Sequence, residues 1–231
     1  MSWLDRIRRA AAKAAGQAAE GAERLAKQVA ASNTGFIAEG AQELLAEREY
    51  HRARELATDS LDRDKAAQVI EILTPYADVD CAHNVLIAKL LADAHNALDQ
   101  DEQAFAAYNQ ALRLLRDPRQ AMDSERQILD DQELLSHEFE ADLLLKVAAL
   151  SLALGDPANC YQTAAEAQRL DRNAHLAYYL QAAGLLGRGR PADLVMDLFV
   201  KALGEVPADT VRGWVRDLMP DQAEQFERLA L

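Results

Sequence analysis

The sequence predicts an all-α fold of stacked helical hairpins, and three observations lead there. Half of the residues are apolar but only 6% are aromatic, and 231 residues include just 10 Gly and 6 Pro. That balance suits helices and starves β-sheets. A spacing of a small or apolar residue, an apolar one four later and another three later recurs at Ala66/Ile70/Leu73, Ala104/Tyr108/Ala111, Cys160/Ala164/Ala167 and Val195/Phe199/Ala202. Offsets of four and three return to one helical face, so each set is a stripe that needs burial. Before each stripe stands a second amphipathic segment that ends in a short turn, which makes the unit a helical pair.

Residues 1–31 are expected to form an amphipathic helix. Trp3, Leu4, Ile7, Ala11, Ala14, Ala18, Ala22, Leu25 and Val29 make one stripe, and Arg6, Arg9 and Lys13 face away from it. A bulky apolar edge opposite a cationic face is the pattern of helices that lie in a membrane interface. Beyond Ile7 the stripe is mostly Ala until Leu25. With three bulky residues contributing at most about 1.5–3 kcal/mol each, attachment through this helix alone is weak and needs anionic lipid or several copies. The competing expectation is packing on protein, in a homo-oligomer or against the chain's own repeats, because an Ala-rich face permits close helix approach. Asp5, Glu20 and Glu23 argue against a mitochondrial-type presequence. Residues 32–36, SNTGF, are the expected hinge, with Gly35 as breaker. A helix from about Ile37 to Ala57 then leads into the repeat domain, residues 37–207.

Within that domain the second pair reads VLIAKLLADAHNALDQDEQAFAAYNQALRLLRDP, Val85 to Pro118, and the third ADLLLKVAALSLALGDPANCYQTAAEAQRLDRNA, Ala141 to Ala174. Antiparallel pairs of about 34 residues with small residues at their crossings and a tight turn between them resemble tetratricopeptide repeats. Ala92, Ala104 and Ala111 match that pattern in the second pair, and Ala148 and Ala167 in the third, where Gly155-Asp156 supplies the turn. Cys160 and Ala164 depart from it, standing where the family prefers Ala and a large aromatic. The fourth pair, His175 to about Pro207, has one extra residue near Gly187 to Gly189. The first, roughly Glu49 to Tyr76, is degenerate in its leading helix. The resemblance covers about residues 49–207 and implies a TPR-like α-α superhelical solenoid.

Stripe spacing locates an insertion: Ala66 to Ala104 is 38 residues and Cys160 to Val195 is 35, but Ala104 to Cys160 is 56. The excess is about one helix, near residues 119–138. This acidic segment reads as a solvated connector or as an arm that lengthens the next helix toward a basic partner. After Pro207, helical stretches at about Asp209 to Leu218 and Pro220 to Leu231 make residues 208–231 a C-terminal cap. Val211, Trp214, Leu218, Phe226 and Leu229 are its expected covering residues.

Chemistry is sparse. The five histidines form no His-Glu-x-x-His pair, and no Gly-rich phosphate loop or nucleophile elbow occurs. No catalytic residue, metal site or cofactor is expected, so the chain reads as non-enzymatic. The net charge is −13, with +3 on residues 1–31 and therefore −16 on the other 200. An acidic body repels phosphate backbones, which excludes general nucleic-acid binding. No apolar run of roughly 20 residues and no secretory signal is present. The expected location is cytoplasmic, with membrane-peripheral recruitment left open. Cys81 and Cys160 sit in apolar helical patterns and are not expected to pair.

The resemblance further implies a groove lined by the first helix of each pair. In the second pair that means Leu86, Lys89, Leu90, Asp93 and Asn96, and in the third Asp142, Leu145, Lys146, Ala149 and Leu152. The fourth contributes Leu176, Tyr179, Leu180, Ala183 and Leu186. Family members that clamp a terminal carboxylate use several Lys, Arg and Asn there, and only Lys89, Lys146 and Asn96 are available here. The groove grows more apolar toward the fourth pair, so the expected ligand is a helical or apolar protein segment. The expected function is a protein-binding adaptor or scaffold, with Trp3, Leu4, Ile7, Arg6, Arg9 and Lys13 as membrane or partner contacts. The alternative is a peripheral membrane-coating or self-assembling structural protein.

Overall fold

A computed structural model describes residues 35–58, 61–117 and 137–229, and every regular element among them is helical. The helices run in pairs: α1 (Gly35–Ala57) with α2 (Arg63–Leu73), α3 (Asn84–Ala97) with α4 (Asp101–Leu115), α5 (His137–Ala153) with α6 (Pro157–Leu170), and α7 (Leu176–Gly187) with α8 (Ala192–Ala202). Then follow α9 (Ala208–Leu218), a short 3-10 turn at Pro220–Gln222 and α10 (Ala223–Leu229). The N-terminal helix expected over 1–31, Ser32 to Thr34 of the hinge, and residues 119–136 of the insertion lie outside the described residues. Gly35 and Phe36 of the expected hinge are the first residues of α1. His137 and Glu138 belong to α5, which starts four residues ahead of Ala141.

Local chemistry sets the boundaries. The Asp62 carboxylate accepts the Lys65 backbone N–H at 2.9 Å and caps α2. Asp156 does the same for α6 through the Asn159 N–H at 3.0 Å, with Pro157 in the first turn where its missing N–H costs nothing. Gly155, at φ 80°, makes the turn between α5 and α6, a conformation an L side chain resists. The α7–α8 connection is one residue longer than the α5–α6 connection, and Gly189 there has φ 67°. The extra residue near Gly187 to Gly189 is thus absorbed in a loop, leaving both helices regular.

Each helix packs on its neighbour in sequence, and helices two apart also touch: α1 on α3, α5 on α7, and α7 on α9. The core follows the same order as overlapping clusters. Tyr50, Val69, Leu73 and Ile87 bury between α1, α2 and α3. Ala92, Ala104, Tyr108, Leu143 and Val147 bury between α3, α4 and α5. Ala148, Cys160, Ala164 and Leu180 continue through α5, α6 and α7. Val195, Phe199, Val211, Val215 and Phe226 bury together at the C-terminal end, between α8, α9 and α10. The result is a multi-helix, solenoid-like packing in which each helix buries its apolar face on near neighbours along the chain.

The small residues of the stripes have a steric role. Ala66, Ala92, Ala104, Ala111, Ala148, Ala164 and Ala167 are all fully buried, where a larger side chain would force the helix axes apart. Gly184 shows the limit, since a Cβ built on it would lie 2.9 Å from the Pro157 carbonyl oxygen and 2.9 Å from the Tyr161 nitrogen. Cys81 and Cys160 are buried free thiols. No helix among the described residues is long and apolar enough to cross a membrane.

Candidate functional site

The odd-numbered helices form one row. Besides the α1–α3, α5–α7 and α7–α9 contacts, an ion pair ties α5 to α3: Lys146 Nζ lies 3.0 Å from Asp93 Oδ1. Beside this pair opens a cleft of about 500 Å³. Asp93, Asn96 and Ala97 of α3 line one wall, and Lys146, Ala149, Leu150 and Ala153 of α5 the other. Asp101 and Tyr108 of α4 and Leu61 of the α1–α2 connection complete it.

Asp93 organises the polar end. Its Oδ2 accepts from Lys89 Nζ at 2.7 Å, one helical turn away, and its Oδ1 accepts from both Lys146 and the Tyr108 hydroxyl. Lys146 also stands 3.6 Å from Asp142 and 5.4 Å from the centre of the Tyr108 ring. Burial alone would raise the Asp93 carboxyl, but the charges of Lys89 and Lys146 outweigh it and hold the group below its ordinary value. For Lys146, burial pulls downward while Asp93 and Asp142 push the ammonium above its usual range. Burial and the adjacent Asp93 charge raise the Tyr108 phenol, which stays a neutral donor.

This geometry changes what the lysines offer. Both are engaged by Asp93, and Lys146 by Asp142 as well, so the few cations of the groove already face carboxylates of the chain itself. Asp101 and Asp142 leave the surroundings acidic, and the remaining walls are Ala97, Ala149, Leu150, Ala153 and Leu61. Such a cleft suits an apolar or weakly cationic segment and disfavours an anionic one.

The structure brings Asp93, Asn96, Lys146 and Ala149 together in the cleft, and Lys89 joins through Asp93. Leu90, Leu145 and Leu152 are half-buried members of the core clusters. Leu86, Leu180 and Ala183 are buried, at 6%, 4% and 5% exposure, so they serve the interior rather than an open groove. Farther along the row, Leu176 is exposed. The Tyr179 hydroxyl donates to Asp217 of α9, a hydrogen bond that with burial pushes the phenol up to about 12. Tyr179 also packs near Trp214, so the α7 end of the row is covered by α9. Trp3, Leu4, Arg6, Ile7, Arg9 and Lys13 lie outside the described residues.

Sequence reasoning did not assign Tyr108, Asp101, Leu61, Ala97, Leu150 or Ala153 to the site. Tyr108 was legible only as the middle of a buried stripe. Its ring does bury at 1% exposure, while its hydroxyl reaches past the ring to Asp93. The signal was the residue type, since a buried Tyr needs a partner for its hydroxyl.

Away from the cleft, a second polar cluster joins α1 to the start of α3. The His83 ring lies 4.9 Å from the Tyr50 ring and 5.2 Å from the His51 ring. Its Nδ1 is buried without a hydrogen bond, because Glu47 Oε1 at 3.7 Å is beyond hydrogen-bonding reach. Among the described residues no group of three or more His, Cys, Asp or Glu side chains is arranged to hold a metal ion. No protein-family model matches the chain, and no curated protein matches its sequence.

Proposed function

We propose that the chain is a non-enzymatic adaptor of TPR-like architecture that holds an apolar or helical segment of a protein partner in the cleft between α3 and α5. The observation that carries this reading is the alanine-walled cleft, in which Asp93 and Asp142 already pair both candidate lysines. The order of helical pairs, the fully buried alanines at Ala92, Ala104, Ala111, Ala148 and Ala167, and the positive-φ turn at Gly155 support the resemblance to tetratricopeptide repeats. In that family the first helices of the pairs line the binding face, which corresponds here to α3, α5 and α7. Affinity comes from apolar anchors laid along the row, and orientation from the few polar groups at its rim, Asn96, Asp101 and Asp142.

Site-directed photo-cross-linking tests this reading. A benzophenone side chain at Ala149, exposed on the cleft wall, is compared with one at Ala106, exposed on α4. After illumination in cell extract, Ala149 is expected to yield a discrete protein adduct that Ala106 does not. Adducts from Ala106 alone, or the same adducts from both, would move the binding face away from the cleft.

A further inference from the structure

The cleft between α3 and α5 has two unlike ends. At one, Asp93 takes both Lys89 and Lys146, and Asp142 stands 3.6 Å from Lys146. The next turns of the same two helices bring Ala97 to one wall and Ala149 and Ala153 to the other, with Asp101 beside them at the start of α4. Three charged side chains line the opening, Asp93, Lys146 and Asp101. The first two are paired with each other, whereas Asp101 is in no ion pair among the described residues. Counted over the whole site, the carboxylates Asp93, Asp101 and Asp142 face the ammonium groups Lys89 and Lys146, which leaves one negative charge in excess.

Size decides how a partner meets this charge. The opening measures about 500 Å³, and a helix about 10–12 Å across fills that volume in roughly one turn. A partner helix therefore lies across the mouth and sends single side chains inward. Ala149 and Ala153 are exposed and short, so the space beside them accepts a long apolar stem. Lys and Arg carry their charge on such a stem. An anionic side chain would have to break the Asp93–Lys146 pair to find a cation, while a basic one leaves that pair closed and meets Asp101.

We propose that the cleft selects a partner segment by one Arg or Lys, whose stem lies against Ala97, Ala149 and Ala153 and whose head pairs with Asp101. This rests on the cleft being the partner site and adds the chemistry that chooses the partner.

The test selects displayed random peptides of about 16 residues, roughly four helical turns, on the full chain. Enriched peptides are then titrated against three variants: Asp101→Asn, Asp197→Asn and Ala149→Trp. Asp197 is exposed on α8, so its variant removes the same charge away from the cleft. Ala149→Trp fills the opening and leaves the charge unchanged. Enriched peptides are expected to share a basic residue with apolar neighbours three or four positions away. Their affinity is expected to fall about fivefold in Asp101→Asn and to hold in Asp197→Asn. Replacing the shared basic residue by Glu is expected to abolish binding to wild type and to restore it in Asp101→Lys. Peptides without a basic residue, or equal losses in Asp101→Asn and Asp197→Asn, overturn the proposal; if Ala149→Trp still blocks them, the cleft reading stands without it. Peptides indifferent to Ala149→Trp overturn the cleft reading itself, and so does a selection that enriches none.

Discussion

Asp93 shows how much one side chain can do in a cleft. It joins two lysines and a phenol from three helices, with only 22% of its side chain exposed. Removing its charge strands Lys89 and Lys146 in a half-buried site, so Asp93→Asn is expected to cost about 2 kcal/mol at pH 7, by urea denaturation. Its folded-state carboxyl is held below its ordinary value. The contribution is therefore complete above the unfolded value near 3.8 and is lost as pH falls through the lower folded value. Wild type and Asp93→Asn should accordingly converge only in strong acid. His83 works in a nearer pH range. Burial lowers its imidazole, with the charges of His51 and Arg54 acting the same way and Glu47 opposing them. The folded state prefers the neutral ring, so stability is full above the unfolded value of 6.5 and declines as pH falls through the lower folded value. His83→Phe, which keeps a ring against Tyr50, is expected to flatten the pH 5–7 part of a melting-temperature profile. An unchanged slope would remove His83 as its source.

At the scale of elements, two glycines test how closely the helices pack. Gly184→Ala places a methyl within 3 Å of α6 backbone, and a fixed backbone cannot yield as a side chain does. A loss of about 1–3 kcal/mol is expected in thermal or urea unfolding. Gly213, inside α9, would meet nothing within 4 Å, so Gly213→Ala is expected to stabilise by up to about 1 kcal/mol through helix propensity. Equal effects from the two would contradict close packing of α6 on α7. The stripes at Ala104/Tyr108/Ala111 and Cys160/Ala164/Ala167 made α4 and α6 legible in the sequence, because a four-three spacing admits one buried face. The boundary between core and cleft was less legible. Leu180 and Ala183 lie on the same helix as the exposed Leu176, and which of them turns inward depends on the rotation of α7 against α6. That rotation is set by the contact of Gly184 with Pro157 and Tyr161, a feature periodicity does not encode. The cleft was half legible for a related reason. Asp93, Asn96, Lys146 and Ala149 follow from membership of first helices, whereas Tyr108 and Leu61 enter only through the crossing of α3 with α4 and the path of a connection.

Over the whole molecule, the core passes from one group of neighbouring helices to the next, and α9 and α10 close its C-terminal end. An arrangement built from near-neighbour contacts leaves a cleft between two first helices, α3 and α5, where Lys146 reaches across to Asp93. The most direct measurement is the affinity of a cross-linked partner for the full chain carrying the same substitution on two faces. Ala149→Glu, which puts a charge on the cleft wall, is expected to weaken binding at least tenfold, or about 1.4 kcal/mol, while Ala106→Glu on the exposed face of α4 leaves it unchanged. Unaltered affinity in Ala149→Glu, with loss in Ala106→Glu, would contradict a partner held between α3 and α5.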